Sequence, residues 1–311
     1  MSAGKRAFVL LVPLIAFAIG GGFYVPDASL AQRQSDNTGS EPALSSLPPL
    51  PDWANEPLPD FSQYQDTTQK KAEFFSFLYP RIVLANSRIL IERDYLDSLA
   101  NKDELTKKEY DWLAQQAERL RVDAEPGSKE QFALLHKRLD VIPPSLILAQ
   151  AANESAWGTS RFATQGNNLF GQWCFSKGCG LVPRGREEGA SHEVAKFSSP
   201  YRSVRAYIQN LNRHPTYQLL RDVRLKDRKN REPLSGIELA EGLLGYSERG
   251  EEYVEEIRAM IHYNNLEFYD DDFRSVVRNL KPGSLQQLAS TQAETQLLPG
   301  QSSLSATPNE G

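Results

Sequence analysis

Glu154 and Trp157 stand three residues apart at the end of an apolar run, in Gln150-Ala151-Ala152-Asn153-Glu154-Ser155-Ala156-Trp157-Gly158. Pro143-Pro144 open the run, where a missing backbone N–H costs a helix nothing, and Gly158 is suited to stop it. Leu146, Ile147, Leu148, Ala149, Ala151 and Ala152 make the helix apolar almost all round, the pattern of a buried one. A carboxyl held between such a helix and an indole is poorly solvated, so its protonated form is favoured. It can hand that proton to a leaving oxygen, as the general acid of glycoside cleavage must. The plain alternative is a surface glutamate paired with Arg161.

Cleaving a glycosidic bond also needs a group that stabilises or intercepts the oxocarbenium-like centre. The polar stretch Arg184 to Ser191 offers Glu187 and Glu188 side by side. In an extended strand adjacent side chains point to opposite faces, so only one of the two can look into a cleft, and the sequence does not choose between them. Glu193 is a third candidate.

Four blocks of the chain, in order, carry a resemblance. They are Glu154-Ser155-Ala156-Trp157-Gly158, Asn167-Asn168-Leu169-Phe170-Gly171, Phe197-Ser198-Ser199-Pro200-Tyr201-Arg202-Ser203 and Tyr246-Ser247-Glu248-Arg249-Gly250-Glu251-Glu252-Tyr253. Together, over about residues 140–264, they resemble the bacterial glucosaminidase domain of glycoside hydrolase family 73, which includes flagellar and autolysin peptidoglycan hydrolases. The last block is close to the family's Tyr-Ala-Thr-Asp-Pro-x-Tyr. The preceding helical region and the Trp173-Cys174…Cys179-Gly180 insertion resemble the Bax-type proteins of Gram-negative bacteria. The resemblance implies Glu154 as the acid and Tyr246 as an active-site tyrosine able to position a water or the substrate's acetamido group. Trp157, Asn168, Phe170, Trp173 and Tyr201 are then candidate substrate-binding residues, with core packing the competing role for Phe170, Tyr201, Tyr217 and Tyr246.

The elements that must position these groups are mostly helical. Phe74, Phe75, Phe77, Leu78, Ile82, Val83, Ile89 and Ile91 recur at helical spacing, interrupted at Pro80. Thr106 with Glu109 is a capping-box pattern ahead of a helix that turns Tyr110, Leu113 and Leu120 inward. Gly127-Ser128 starts a third helix. The helical period is lost between Leu181 and Ser198, which reads as a β-hairpin or long loop, and resumes at Ser203, Pro233 and Glu251. The expectation is a mainly α, α+β, lysozyme-like domain with a small β-hairpin lobe. Its organisation reads as a signal peptide (1–31), a Pro/Ser-rich linker (32–69), a helical region packed on the catalytic domain (70–139), the glucosaminidase domain (140–280) and a disordered tail (281–311).

The 311 residues, 40% hydrophobic and 10% aromatic, are ample for a packed core. The net charge is −5, and removing residues 1–31, which carry Lys5, Arg6 and Asp27, leaves −6. No global positive field exists to hold nucleic acid. Lys5-Arg6, the apolar stretch from Ala7 to Ile19 and Ser29-Leu30-Ala31 read as a cleavable export signal, with an uncleaved membrane anchor as the alternative. Cys174 and Cys179, five apart around Lys177-Gly178, fit a disulfide in an oxidising compartment. Four scattered histidines without ligand spacing argue for no metal, and no cofactor is expected. Arg213 to Arg231 holds seven Lys/Arg against two Asp, read as a solvated face or as an attractor for carboxylates of peptidoglycan stem peptides. The expected protein is a periplasmic, monomeric endo-β-N-acetylglucosaminidase acting on peptidoglycan glycan strands. A catalytically idle wall-binding module and a lytic transglycosylase are the alternatives.

Overall fold

The structure, a computed structural model, describes residues 47–186, 189–278 and 284–301. The signal segment, the first part of the linker, Glu187, Glu188 and residues 302–311 lie outside the described residues.

Helix α1 (Thr67–Ala100) runs through the middle of the molecule, capped by Asp66, whose side chain accepts from Gln69 N at 2.7 Å. The expected interruption at Pro80 does not occur. Pro80 lies inside one continuous helix whose residues from Leu78 to Ile89 are all buried, and packing on every side outweighs the roughly 3 kcal/mol a mid-helix proline costs. The helix is long and apolar enough to cross a membrane, but 89% of its most apolar window is covered by this protein's own chain, the mark of a core helix.

Helix α2 (Lys107–Leu120) has the expected capping box, with Thr106 and Glu109 bonding each other's backbone N–H. It buries Trp112, Leu113 and Leu120. Tyr110 differs from the expectation: it is 42% exposed and lays its ring over Gly127, where a Cβ would come 2.8 Å from the ring and φ is +75°. Helices α3 (Lys129–Arg138) and α4 (Pro144–Ser155) follow, then the short α5 (Arg161–Gly166). Strands β1 (Trp173–Cys174), β2 (Gly180–Leu181) and β3 (Glu193–Ala195) form an antiparallel sheet in the order β1-β3-β2, with Val194 opposite both Trp173 and Leu181. Helices α6 (Pro200–Arg213), α7 (Gln218–Asn230), α8 (Gly236–Leu239), α9 (Glu251–Tyr263), α10 (Glu267–Arg278) and α11 (Ser284–Leu288) complete the chain. The architecture is mainly α with one small β lobe, as the periodicity requires.

One hydrophobic core extends from Trp53 to Leu297. Two expectations therefore need correction. The described part of the linker is packed, with Trp53 and Phe61 buried and the Trp53 Nε1–H bonded to Thr291 O at 2.9 Å. The described part of the tail, 284–301, is also packed, burying Leu288, Ala289 and Leu297. Both ends meet on Arg81, fully buried in α1, which donates to Trp53 O at 3.1 Å and to Glu294 and lies 3.6 Å from the Phe77 ring centroid. A few apolar residues suffice to dock a Pro- and Gln-rich segment when a preformed helix supplies the partner surface, and no local periodicity records it.

The basic stretch from Arg213 is a solvated face only in part: Lys226, Arg228, Lys229 and Arg231 are exposed, while three arginines are not. Arg213, Arg221 and Arg224 are 1–2% exposed. Arg221 donates to Leu211 O and His214 O, and Arg224 to Val141 O and Asn212 Oδ1. Arg228 meets Asp140 at 2.8 Å. Burial opposes the charge of Asp140, but Arg224, Arg93 and Arg228 override it and hold its pKa at about 2. These arginines join α7 to the loop that leads into α4.

Candidate active site

Glu154 is the penultimate residue of α4. The helix ends at Ser155, three residues before Gly158, because Ala156 and Trp157 both adopt left-handed backbone (φ 49° and 59°) ahead of Gly158 (φ 76°). Ser155 holds this turn: its hydroxyl donates to Ala151 O at 2.6 Å and accepts from Gly158 N at 2.8 Å. The turn throws the Trp157 ring toward α1. It packs edge-on against Phe74 and Phe75, at centroid distances of 5.9 and 5.4 Å, and lies under the Lys71 ammonium.

The aromatic group on the carboxyl is Tyr253 of α9, whose hydroxyl donates to Glu154 Oε1 at 2.7 Å. Behind it runs a buried polar chain. Gln150, one turn before Glu154, donates to the Tyr253 hydroxyl at 2.8 Å and accepts from the Tyr207 hydroxyl. Burial is the main force on the Glu154 pKa, lifting it to about 7. The Tyr253 and Asn153 hydrogen bonds and Arg249 pull it down, while the charge of Glu256 raises it. Burial and the charge of Glu154 push Tyr246 and Tyr253 far above the ordinary phenol range, so both stay neutral donors. Arg249 and Glu256 pair with each other at the rim.

Tyr246 does not point at a reacting group. It is buried, stacked on Tyr253 at 5.3 Å with rings 5° from parallel, and its hydroxyl donates to Phe170 O at 2.8 Å. It therefore positions Tyr253 and the loop after α5. Asn168 is also a scaffold rather than a groove residue. Its Nδ2 donates to Gln172 O and Ala195 O at 2.8 and 2.9 Å, and its Oδ1 accepts from Phe170 N and Gln172 N. Phe170 is 2% exposed and stacks on Tyr207 at 4.0 Å, and Tyr201 is wholly buried. What these residues deliver to the cleft is backbone. Gly171, at φ +62°, lies where a Cβ would come 3.8 Å from Glu154 Oε2.

Across from α4, the Cys174–Cys179 disulfide is present. Glu193 of β3 lies against it and is 6% exposed, accepting from Gly178 N at 3.0 Å and Gly180 N at 2.8 Å. This corrects Glu193 as a candidate catalytic carboxylate: it braces the turn between β1 and β2. The Cys174, Cys179, Glu193 cluster has its sulfurs joined and its oxygens occupied, so it offers no metal-ligand set. Trp173 stays half-exposed and stacks on His192 at 4.2 Å.

Asp270 of α10 anchors the opposite end of α4. It is 3% exposed, accepting from Ser145 N and Oγ at 2.8 and 2.6 Å and from Gly236 N at 3.2 Å. A carboxylate at a helix N-terminus satisfies orphan donors and complements the helix dipole. Asp270 does not stand out in the sequence as a helper of Glu154, and Tyr253 closes the fourth motif block without any local sign of that role. The i, i+4 spacing of Gln150 and Glu154 is the one local signal of the polar chain.

The profile described as glucosaminidase, mannosyl-glycoprotein endo-beta-N-acetylglucosaminidase, matches residues 129–266, which hold Glu154, Tyr246 and Tyr253. The chain is 35% identical over 208 residues to protein bax of Escherichia coli (strain K12), an alignment covering 67% of this chain and 74% of that one. No solved structure matches it significantly. With a glutamate at the end of an apolar helix, this profile match and this relative, the chain belongs to the glucosaminidase family.

Proposed function

We propose that this protein is an exported endo-β-N-acetylglucosaminidase that cuts β-1,4 bonds in the glycan strands of peptidoglycan, with Glu154 as general acid. The observation that carries the reading is the Glu154 carboxyl itself. Its pKa of about 7 leaves about half of it protonated at neutral pH, and Tyr253 fixes Oε1, leaving Oε2 beside Gly171 as the oxygen to face a leaving group. The general acid protonates the glycosidic oxygen as the bond breaks, and Glu187 or Glu188 from the β lobe supplies the second carboxylate. Trp173 offers a ring to the sugar chain. The amino-terminal segment supports export to the periplasm, where the Cys174–Cys179 disulfide is stable.

Mass spectrometry of digested sacculi tests this directly. Reducing N-acetylglucosamine ends support the reading. Anhydro-muramic ends assign the chain to the lytic transglycosylases, and intact glycan with measurable binding makes it a wall-docking module.

A further inference from the structure

Lys71 lies in the second turn of α1, outside the segment that matches the glucosaminidase profile. Its ammonium sits 4.9 Å from the centroid of Trp157 and 5.5 Å from that of Tyr263, and donates to Asn264 Oδ1 at 2.9 Å. Asn264 is fixed in turn by its own bond to Met260 O at 2.9 Å. Lys71 is half-buried, and among the described residues its hydrogen-bond partner is this neutral amide, with no carboxylate paired to it. Aromatic faces hold a cation in place without neutralising it, so the charge remains available to an anion. Tyr263 is 84% exposed, more than any other large hydrophobic side chain described. A ring so exposed keeps one face open, and an aromatic face suits the apolar C–H face of a pyranose.

The cluster adjoins the cleft along the chain. Trp157 follows Glu154 by three residues, within about 11 Å of Cα separation. Tyr263 lies ten residues up α9 from Tyr253, about 15 Å along the helix. It is thus beside the reacting bond's site rather than at it.

We propose that Lys71, Tyr263 and Asn264 form a distal subsite for a carboxylate-bearing sugar of the glycan, with the pyranose on Tyr263 and the carboxylate on Lys71. Trp157 serves this subsite by holding the ammonium. The inference rests on the glycan-cleaving reading and gives the helical region before residue 129 a part in substrate selection.

The test uses the full chain carrying Glu154→Gln, titrated calorimetrically with two oligosaccharides of equal length. One is a neutral oligomer of N-acetylglucosamine. The other is a peptide-free alternating strand whose muramic residues carry free lactyl carboxylates. The acidic strand should bind more tightly, with the difference shrinking as salt rises. Lys71→Gln should weaken it about five- to tenfold while changing the neutral oligomer less than about twofold, and Lys71→Arg should retain the preference. Tyr263→Ala should weaken both. An unchanged acidic-to-neutral ratio in Lys71→Gln overturns the subsite, as does an inert Tyr263→Ala. Turnover of the peptide-free acidic strand separates the two readings. Cleavage by the wild type with no Lys71 effect removes the subsite alone. No cleavage, with the Lys71-dependent preference intact, removes the enzymatic reading and keeps the subsite.

Discussion

The Tyr253 hydroxyl donates a 2.7 Å hydrogen bond to Glu154 Oε1 from a helix that begins almost a hundred residues later in the chain. A neutral phenol bonded to a carboxylate favours the charged form, while burial favours the protonated one, and burial wins, placing the pKa at about 7. Tyr253 therefore sets how acidic the proton donor is, and Gln150 sets where Tyr253 stands.

The pH profile reads this balance. A general acid works only while protonated, so kcat/KM should fall as pH rises through about 7. Tyr253→Phe removes an interaction that lowers the pKa, so the basic limb should move upward, with a reduced maximum because the carboxyl loses its orientation. Initial rates on sacculi across pH 5 to 9 check it. A downward move of the limb in Tyr253→Phe contradicts the assignment.

Glu154→Gln should lower turnover about 10²–10⁴-fold, since it removes the transferable proton and keeps the acceptor for Tyr253. The same change should stabilise the fold. The folded pKa of Glu154 is raised above its unfolded value, so stability is lost as pH climbs through about 7 and the wild-type carboxylate is forced to ionise where it is poorly solvated. Denaturant unfolding should show the variant ahead by roughly 1–3 kcal/mol at pH 8 and by little at pH 5.

Glu187→Gln and Glu188→Gln should differ sharply. On the expectation from sequence that the pair is extended, neighbouring side chains face opposite ways, so one variant should approach the Glu154→Gln defect and the other stay near wild type. Equal, near-normal rates in both would leave the reaction to a single carboxyl assisted by the substrate's own acetamido group.

Opening the disulfide should affect catalysis more than global stability. A loop closed over five residues contributes little chain entropy, whereas Cys174 and Cys179 bracket the turn that Glu193 holds through Gly178 and Gly180. Titration of protein purified after export to an oxidising compartment should find no free thiol. The double serine variant should keep most of its melting temperature and lose more of its turnover.

Deleting residues 284–311 should destabilise the whole molecule by several kcal/mol. It removes Leu288, Ala289 and Leu297 from the core and strips Glu294 from the fully buried Arg81. A thermal melt unchanged by the deletion would show that this segment does not dock in solution.

The sequence by itself determined the mainly α character, a β interruption (expected at 181–198, whereas the sheet begins at Trp173), the capping box at Thr106, the Cys174–Cys179 pairing and the carboxyl to examine. Each of these is written in local spacing: helical periodicity, an i, i+3 capping pattern, a short glycine-containing loop between two cysteines, a glutamate ending an apolar run. Only the tertiary structure decided what surrounds that carboxyl. Trp157, three residues away, turns to Phe74 and Phe75 because Ala156 and Trp157 adopt left-handed backbone, and Tyr253 takes the place beside Glu154. Asn168, Phe170 and Tyr246 carry the motif's polar and aromatic character, yet they hold backbone to backbone beneath the cleft. Glu193 looks as available as any acid until its two oxygens are seen to meet Gly178 and Gly180. Arg224 reads in sequence as part of a solvated basic stretch and Arg81 carries no signal, yet both are buried connectors because backbone carbonyls and carboxylates from distant segments converge on them. Most of these roles depend on contacts between residues distant in the chain, up to the 213 that separate Arg81 from Glu294, and no local pattern encodes those.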